Sequence, residues 1–173
     1  FVGKHILTVG GDYMRDYLMS YQFANNGSKH QYTVDGFAQF DWNPTKYFNV
    51  ITGLRFDYYS DSDINHFSPK LGLMYKIGNC SLRGSYAGGF RAPTLKEMYM
   101  NFDMASIFMI YGNPDLKPET SHNFSLSAEY IKGRYNLTVT GFYNVVDNRI
   151  TTAWSEALKG QVYTNISNIR ISG

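Results

Sequence analysis

Long apolar runs are missing from this chain. No stretch of about 18 apolar residues occurs, and mean hydropathy is negative, so a helical membrane span is excluded. Cysteine is almost absent. Cys80 stands alone, cannot form an internal disulfide, and reads as a small apolar strand residue. Charge of one sign is also lacking, because 16 basic and 14 acidic residues are interspersed to a net +2, which excludes a nucleic-acid-binding stripe and leaves no nucleic-acid partner expected. There is no glycine-rich phosphate loop, no Cys/His zinc spacing and no Ser, His and acid set at suggestive spacing. Neither catalytic residues, nor a resident metal, nor a cofactor is therefore expected.

What is present is strand chemistry. The chain holds 15 Tyr, 12 Phe and 16 Gly but only 2 Trp, and aromatic and β-branched side chains suit a pleated surface. Alternation of period two predicts a first strand over 4–19 and a second over 32–42, where Val34, Ala38, Phe40 and Trp42 face one way and Thr33, Asp35, Gln39 and Asp41 the other. A third strand over 47–59 sets Val50, Leu54, Phe56 and Tyr58 against Asn49, Gly53, Arg55 and Asp57. Further strands are expected over 67–77, 80–90, from about 121 to 130, over 135–144, and from about Val162 onward. A helical turn is expected at TLKEMYM.

The connections alternate between long and short, with the short ones at NPTK, at Gly78-Asn79 and at 132–134. Strict alternation predicts an up-and-down antiparallel meander with all tight turns on one side, the arrangement of an outer-membrane β-barrel. Several segments exceed the roughly 9 to 11 residues that cross a bilayer on a tilt. Trp42, Tyr47, Phe48, Tyr75, Tyr130 and Tyr135 fall beside the short turns, where an aromatic girdle at the membrane surface would lie. The fold class expected is all-β, about eight strands of a transmembrane barrel in contact with outer-membrane lipid. A soluble sandwich is the alternative, in which the same rows would be buried against a second sheet.

Two boxes interrupt the ladder. Phe90, Arg91, Ala92 and Pro93 close the fifth strand after Gly88-Gly89, and Asn113, Pro114, Asp115, Leu116, Lys117, Pro118 and Glu119 lead into the sixth. Their prolines stop and restart pairing, which gives them a structural role, and direct ligand contact is the second reading. With the strand text GFAQFDWNPTKYFNVITGLRFD and the tail GFYNVVDNRITTAW, these boxes make nearly the whole chain resemble the barrel of TonB-dependent nutrient receptors. The resemblance implies a partial barrel domain over residues 1–173, belonging to a barrel of about twenty-two strands around a plug. Plug and remaining strands would lie outside this sequence, whose two ends both read as strand. It further implies an outer-membrane receptor in a Gram-negative envelope that takes up a scarce nutrient such as a siderophore, haem or cobalamin, driven by the TonB system through the plug.

Between the boxes lies a loop rich in Met and aromatics, and an external loop this apolar either packs on its neighbours or receives ligand. Tyr99, Asn101, Phe102, Met104 and Tyr111 are the candidate ligand-binding residues. Haem receptors with similar boxes place a His ligand between them. This chain has no His from 91 to 121, leaving Tyr99, Tyr111 or a Met as iron ligands, while His122 reads as a strand-face residue. Asp61, Asp63 and Asn65 form either a solvated acidic loop or a hard-cation site. Two other functions compete with uptake. One is a complete small barrel of structural or adhesive role, which requires its first and last strands to pair. The other is an outer-membrane lipid hydrolase, which requires Ser and His together on a lipid-adjacent face.

Overall fold

The computed structural model describes residues 5–20, 23, 27–61 and 63–173. Lys4, the first residue of the expected first strand, lies outside them. In chain order the elements are β1 (Ile6–Met19), β2 (Ser28–Trp42), β3 (Phe48–Tyr59), β4 (Ile64–Ile77), β5 (Cys80–Arg91), α1 (Leu95–Tyr99), β6 (Phe102–Met104), β7 (Phe108–Tyr111), β8 (Glu119–Lys132), β9 (Tyr135–Asp147), β10 (Arg149–Ser155), β11 (Gly160–Ile166) and β12 (Ile169–Ser172). They form two sheets. An eight-stranded antiparallel sheet runs β1-β2-β3-β4-β5-β8-β9-β12, and a four-stranded sheet runs β10-β11-β7-β6.

The large sheet follows from the alternation. Leu7 faces Phe40, Val9 faces Ala38 and Tyr13 faces Val34 across β1 and β2, and Ala38 and Phe40 continue to Leu54 and Thr52 on β3. The apolar row extends through Leu71 and Leu73 on β4 to Leu126 on β8 and Gly141 on β9. No protein covers it: Leu7, Val9 and Leu126 retain 67%, 69% and 68% of their surface. Buried hydrophobics lie elsewhere, at Phe23, Ala92, Leu95, Met98, Met100, Leu116 and Ile150, all in the connections at the long-loop end. A sandwich would bury the strand rows and leave the loops wet; the reverse holds, and lipid is the solvent that suits the exposed face. The opposite face carries the polar set, with ion pairs Arg55–Asp35 (3.1 Å), Arg55–Asp57 (2.8 Å) and Arg83–Glu129 (2.9 Å), as a wet lumen requires.

The short turns are where the sequence places them. Gly78 and Gly133 both sit at φ 58°, a conformation glycine takes without strain. Three expectations are corrected. β2 begins at Ser28 and β4 at Ile64, each earlier than expected, because pairing with β1 and β3 continues past the apolar rows. The segment ITTAWSEALKGQ is not an open loop but most of the hairpin β10–β11. Val162 consequently belongs to that hairpin, and the eighth strand of the barrel sheet is β12, paired to β9 from Ile169↔Val146. Asn148 at φ 54° supplies the left-handed kink that lets the chain leave the barrel register between β9 and β10.

Candidate functional site

Pro93 ends β5 because it has no N–H to give the ladder, and a short helix starts at once. The Thr94 hydroxyl accepts from the Glu97 backbone N–H (3.3 Å), and Glu97 Oε2 accepts from the Thr94 N–H (2.9 Å), a reciprocal cap that satisfies two otherwise orphaned donors. Leu95 and Met98, three residues apart, then share the inner face of α1. They meet Leu116 of the second box and Ile150 of β10 in one small core, with Leu18, Tyr99 and Tyr163 against it. Pro93 is the fully buried side chain of the group.

Arg91 holds this core to the barrel. Its guanidinium pairs with Glu97 on α1 and with Glu119 at the start of β8 (2.9 Å). Glu119 Oε1 also accepts from the Ile150 N–H (2.7 Å), so a carboxylate shared by Arg91 and the β10 backbone ties four elements together. The remaining box residues act in the same sense. The Asn113 N–H donates to the Glu97 carbonyl (2.9 Å), its side-chain amide donates to the Tyr163 carbonyl (2.9 Å), and its Oδ1 accepts from the Asp115 N–H (2.9 Å). Asn165 clasps Lys117 from both sides, accepting from its N–H and donating to its carbonyl, each at 2.8 Å, and donates also to the Asn148 carbonyl (2.7 Å). Ala92 and Leu116 are buried, while Pro114, Asp115 and Lys117 are exposed around the turn. Phe90 lies on the lumen side, stacked on His66 at 4.3 Å and 11°.

The five candidate ligand residues are brought into one layer above the barrel mouth. Tyr99 ends α1, Asn101 follows it, Phe102 and Met104 pair with Ile110 and Phe108 across β6–β7, and Tyr111 pairs with Val162 in the parallel β7–β11 contact. They are not equally free. Asn101 accepts from the Gly112 N–H (3.3 Å), and the Tyr111 ring closes on Gly160, whereas Phe102 is half-buried and Met104 exposed. Three more residues complete the layer, Lys29 and Lys96, which the sequence does not single out, and Asp61, which it offers only as part of an acidic loop. Lys29 Nζ sits 4.1 Å from the Tyr99 ring centroid, Lys96 Nζ sits 5.6 Å from that of Phe102, and Asp61 lies beside Tyr99. Only their spatial neighbours reveal the two lysines, since an isolated Lys gives no periodic signal. Below the helix a cleft of about 500 Å³ opens between the outer ends of β1 and β2 and the first box, lined among others by Met14, Asp16, Gln31, Tyr59, Phe90 and Lys96. A second groove, of about 560 Å³ and lined by residues such as Leu126, Val139 and Gly141, belongs to the apolar sheet surface.

Burial and the neighbouring Asp61 carboxylate push the Tyr99 phenol up to about 12. The folded value lies above the ordinary 10.0, so the neutral phenol's contribution to stability is complete below pH 10 and is lost as pH rises through 12. A Tyr99→Phe difference titration, followed by tyrosinate absorbance, is expected to remove one group titrating near 12; removal of a group titrating at 10 would refute the assignment. His122 shares a hydrogen bond with Tyr86 (2.9 Å) on the strand face. Asp63 accepts from the Tyr58 hydroxyl (3.2 Å) while Asp61 faces Tyr99, so the two acids of the β3–β4 loop serve different partners. No group of three His, Cys, Asp or Glu residues able to hold a metal occurs among the described residues.

The family model for the TonB dependent receptor-like β-barrel matches residues 1–173. The chain belongs to this family, whose members are receptors of the Gram-negative outer membrane and not enzymes. It is 31% identical over 157 residues to the iron-regulated outer membrane virulence protein of Vibrio cholerae, covering 87% of this chain and 24% of that protein. Over 117 residues it is 33% identical to the probable TonB-dependent siderophore receptor PirA of Acinetobacter baumannii, covering 59% of this chain and 15% of the relative. The crystal structure of the siderophore receptor PirA from Pseudomonas aeruginosa superposes with a TM-score of 0.87 at 20% identity, over 98% of this chain and 35% of that one. The chain thus spans about a quarter of the length of the first curated relative it matches.

Proposed function

We propose that the parent protein takes up an iron chelate, specifically an anionic siderophore with aromatic groups, and that this segment supplies part of the external capture layer. The observation that carries the reading is the pairing of a lysine with an aromatic ring twice in that layer, Lys29 with Tyr99 and Lys96 with Phe102. A cation beside an aromatic face offers charge and stacking together to a negatively charged aromatic chelate. The names of the siderophore-receptor relatives point the same way. Transport would require the plug, the remaining strands and energy delivered through TonB. Haem is the second reading, favoured by the haemoglobin and haemoglobin-haptoglobin-binding protein C of Haemophilus influenzae, 38% identical over 90 residues, with Tyr99, Tyr111 or Met104 as axial ligands in place of His.

In the full-length receptor, the double change Lys96→Ala and Phe102→Ala is expected to weaken binding of a ferric tris-catecholate about tenfold, with haem binding unchanged. Unaltered catecholate affinity would overturn the siderophore reading, and loss of haem binding alone would favour the second.

A further inference from the structure

The wall formed by β5, β8 and β9 is indented on its lipid-facing side. Leu126 stands in register between Gly84 and Gly141, so one row of that wall has a side chain on its middle strand and none on either flank. Ala128 and Val139 form the next row toward the short turns, and Phe124 with Tyr143 closes the other end. These residues line the apolar groove of about 560 Å³.

Four residues beyond Ala128, on the same face by alternation, β8 ends at Lys132. Lys132 pairs with Tyr135 around the two-residue turn Gly133-Arg134, which the positive φ of Gly133 (58°) makes tight. The Arg134 guanidinium lies 5.5 Å from the Tyr135 ring centroid, and the Ile131 N–H donates to the Asn79 carbonyl (2.9 Å), which fixes this turn to the one beside it. Neither cation has an acid. Glu129 faces the lumen and is taken by Arg83 (2.9 Å), and among the described residues Lys132 and Arg134 enter no ion pair. The lipid-facing residues from Phe124 to Lys132 and from Tyr135 to Tyr143 include no carboxylate.

The two cations and the groove lie on one line, with Tyr130 and Leu137 between them. Four residues of strand span about 14 Å, or about 10 Å of membrane depth on a barrel's tilt. That is the stretch from the phosphate of a glycerophospholipid to the upper carbons of its acyl chain. Short turns lie on the periplasmic side, so the lipid comes from the periplasm-facing leaflet. Two cations without a counter-charge favour an anionic head over a zwitterionic one, whose own amine they repel. We propose that this wall holds one anionic phospholipid of the phosphatidylglycerol type, its phosphate on Lys132 and Arg134 and one acyl chain along Gly84, Leu126 and Gly141. The inference rests on the barrel's place in the membrane and is independent of the nutrient carried.

The test mixes the full-length receptor, purified in detergent, with equal amounts of phosphatidylglycerol and phosphatidylethanolamine and reads retained lipid by native mass spectrometry. The wild-type receptor is expected to retain one phosphatidylglycerol about 30-fold in preference, the selectivity of two interfacial cations. Changing Lys132→Ala and Arg134→Ala together should abolish the preference, whereas Lys46→Ala, at the β2–β3 turn beside Tyr47, should leave it unchanged. Gly84→Leu with Gly141→Leu fills the groove, since a Cβ at either position meets nothing closer than 3.8 Å; retention of both lipids should then fall alike. Equal retention of the two lipids by the wild type, an equal loss in Lys46→Ala, or full retention by the filled groove would each overturn the proposal. Displacement of the phosphatidylglycerol by lipopolysaccharide would also overturn it, by assigning the groove to the other leaflet. Catecholate affinity is expected to be the same in all of these variants, so failure of the siderophore reading leaves this one standing.

Discussion

Replacing Arg91 with Ala is expected to free the loop layer from the barrel while leaving the barrel intact. The guanidinium is the shared cation of Glu97 and Glu119, whose side chains keep only 13% and 18% of their surface. Exposed ion pairs contribute about 0–1 kcal/mol, and removing one member of a buried pair costs about 3–5; a half-exposed arginine with two shielded acids falls between, at about 2 kcal/mol. That cost is local, since the strand ladder of β5 and β8 remains paired from Cys80 to Arg91. Amide exchange over 95–100 and 149–152 should therefore accelerate about 30-fold, with exchange in β3 and β4 unaltered. Equal protection in the variant would show that the Leu95, Met98, Leu116 and Ile150 core holds the layer without the ion pairs.

The larger effect belongs to Gly160→Ala. A Cβ built at Gly160 would lie 2.6 Å from the Met109 carbonyl oxygen and 2.9 Å from the Tyr111 ring. The first contact is backbone, so no rotamer change relieves it, and the two hairpins must part. Overpacking costs about 1–3 kcal/mol; the upper end applies here, because the parallel β7–β11 contact rests on only Gln161↔Ile110 and Val162↔Tyr111. Opening of the small sheet, read as protease cleavage within 102–111, is expected to rise on the order of 100-fold. Gly78→Ala is the control: nothing lies near its Cβ position, and its strain is confined to a short turn on the opposite side of the membrane. If both variants behave alike, the close approach at Gly160 is not what joins the loops.

How far the sequence could be read follows from the range of the interactions. Seven barrel strands were legible because alternation is local and lipid enforces it on every second residue of β1 to β5, β8 and β9. α1 was legible as a helical turn because Thr94 and Glu97, three residues apart, carry its cap. β6 and β7 were not, since three or four residues cannot display a period, and they exist by pairing with each other and with β11. The eighth strand was misplaced for a related reason. Val162, Tyr163 and Thr164 have strand propensity and do form a strand, but their partners are Ala153, Thr152 and Thr151 and not β9. Propensity states that a segment pairs and is silent on with what.

The boxes read in the sequence as loop-shaping through their prolines, and their mutual contacts were out of reach. Arg91 finds its acids 6 and 28 residues away, and Asn165, the residue that clasps Lys117 across 48 positions, carries no local signal in the sequence. Lys29 beside Tyr99 was hidden in the same way.

Asn165 has an architectural consequence. It staples the roots of both external excursions where they leave the wall, through Lys117 and Asn148, while the tips at 105–107 and 156–159 make no part of that knot. Grafted tips of different length or chemistry would inherit a ready-made base, so recognition can diversify in this protein without renegotiating the membrane-spanning scaffold.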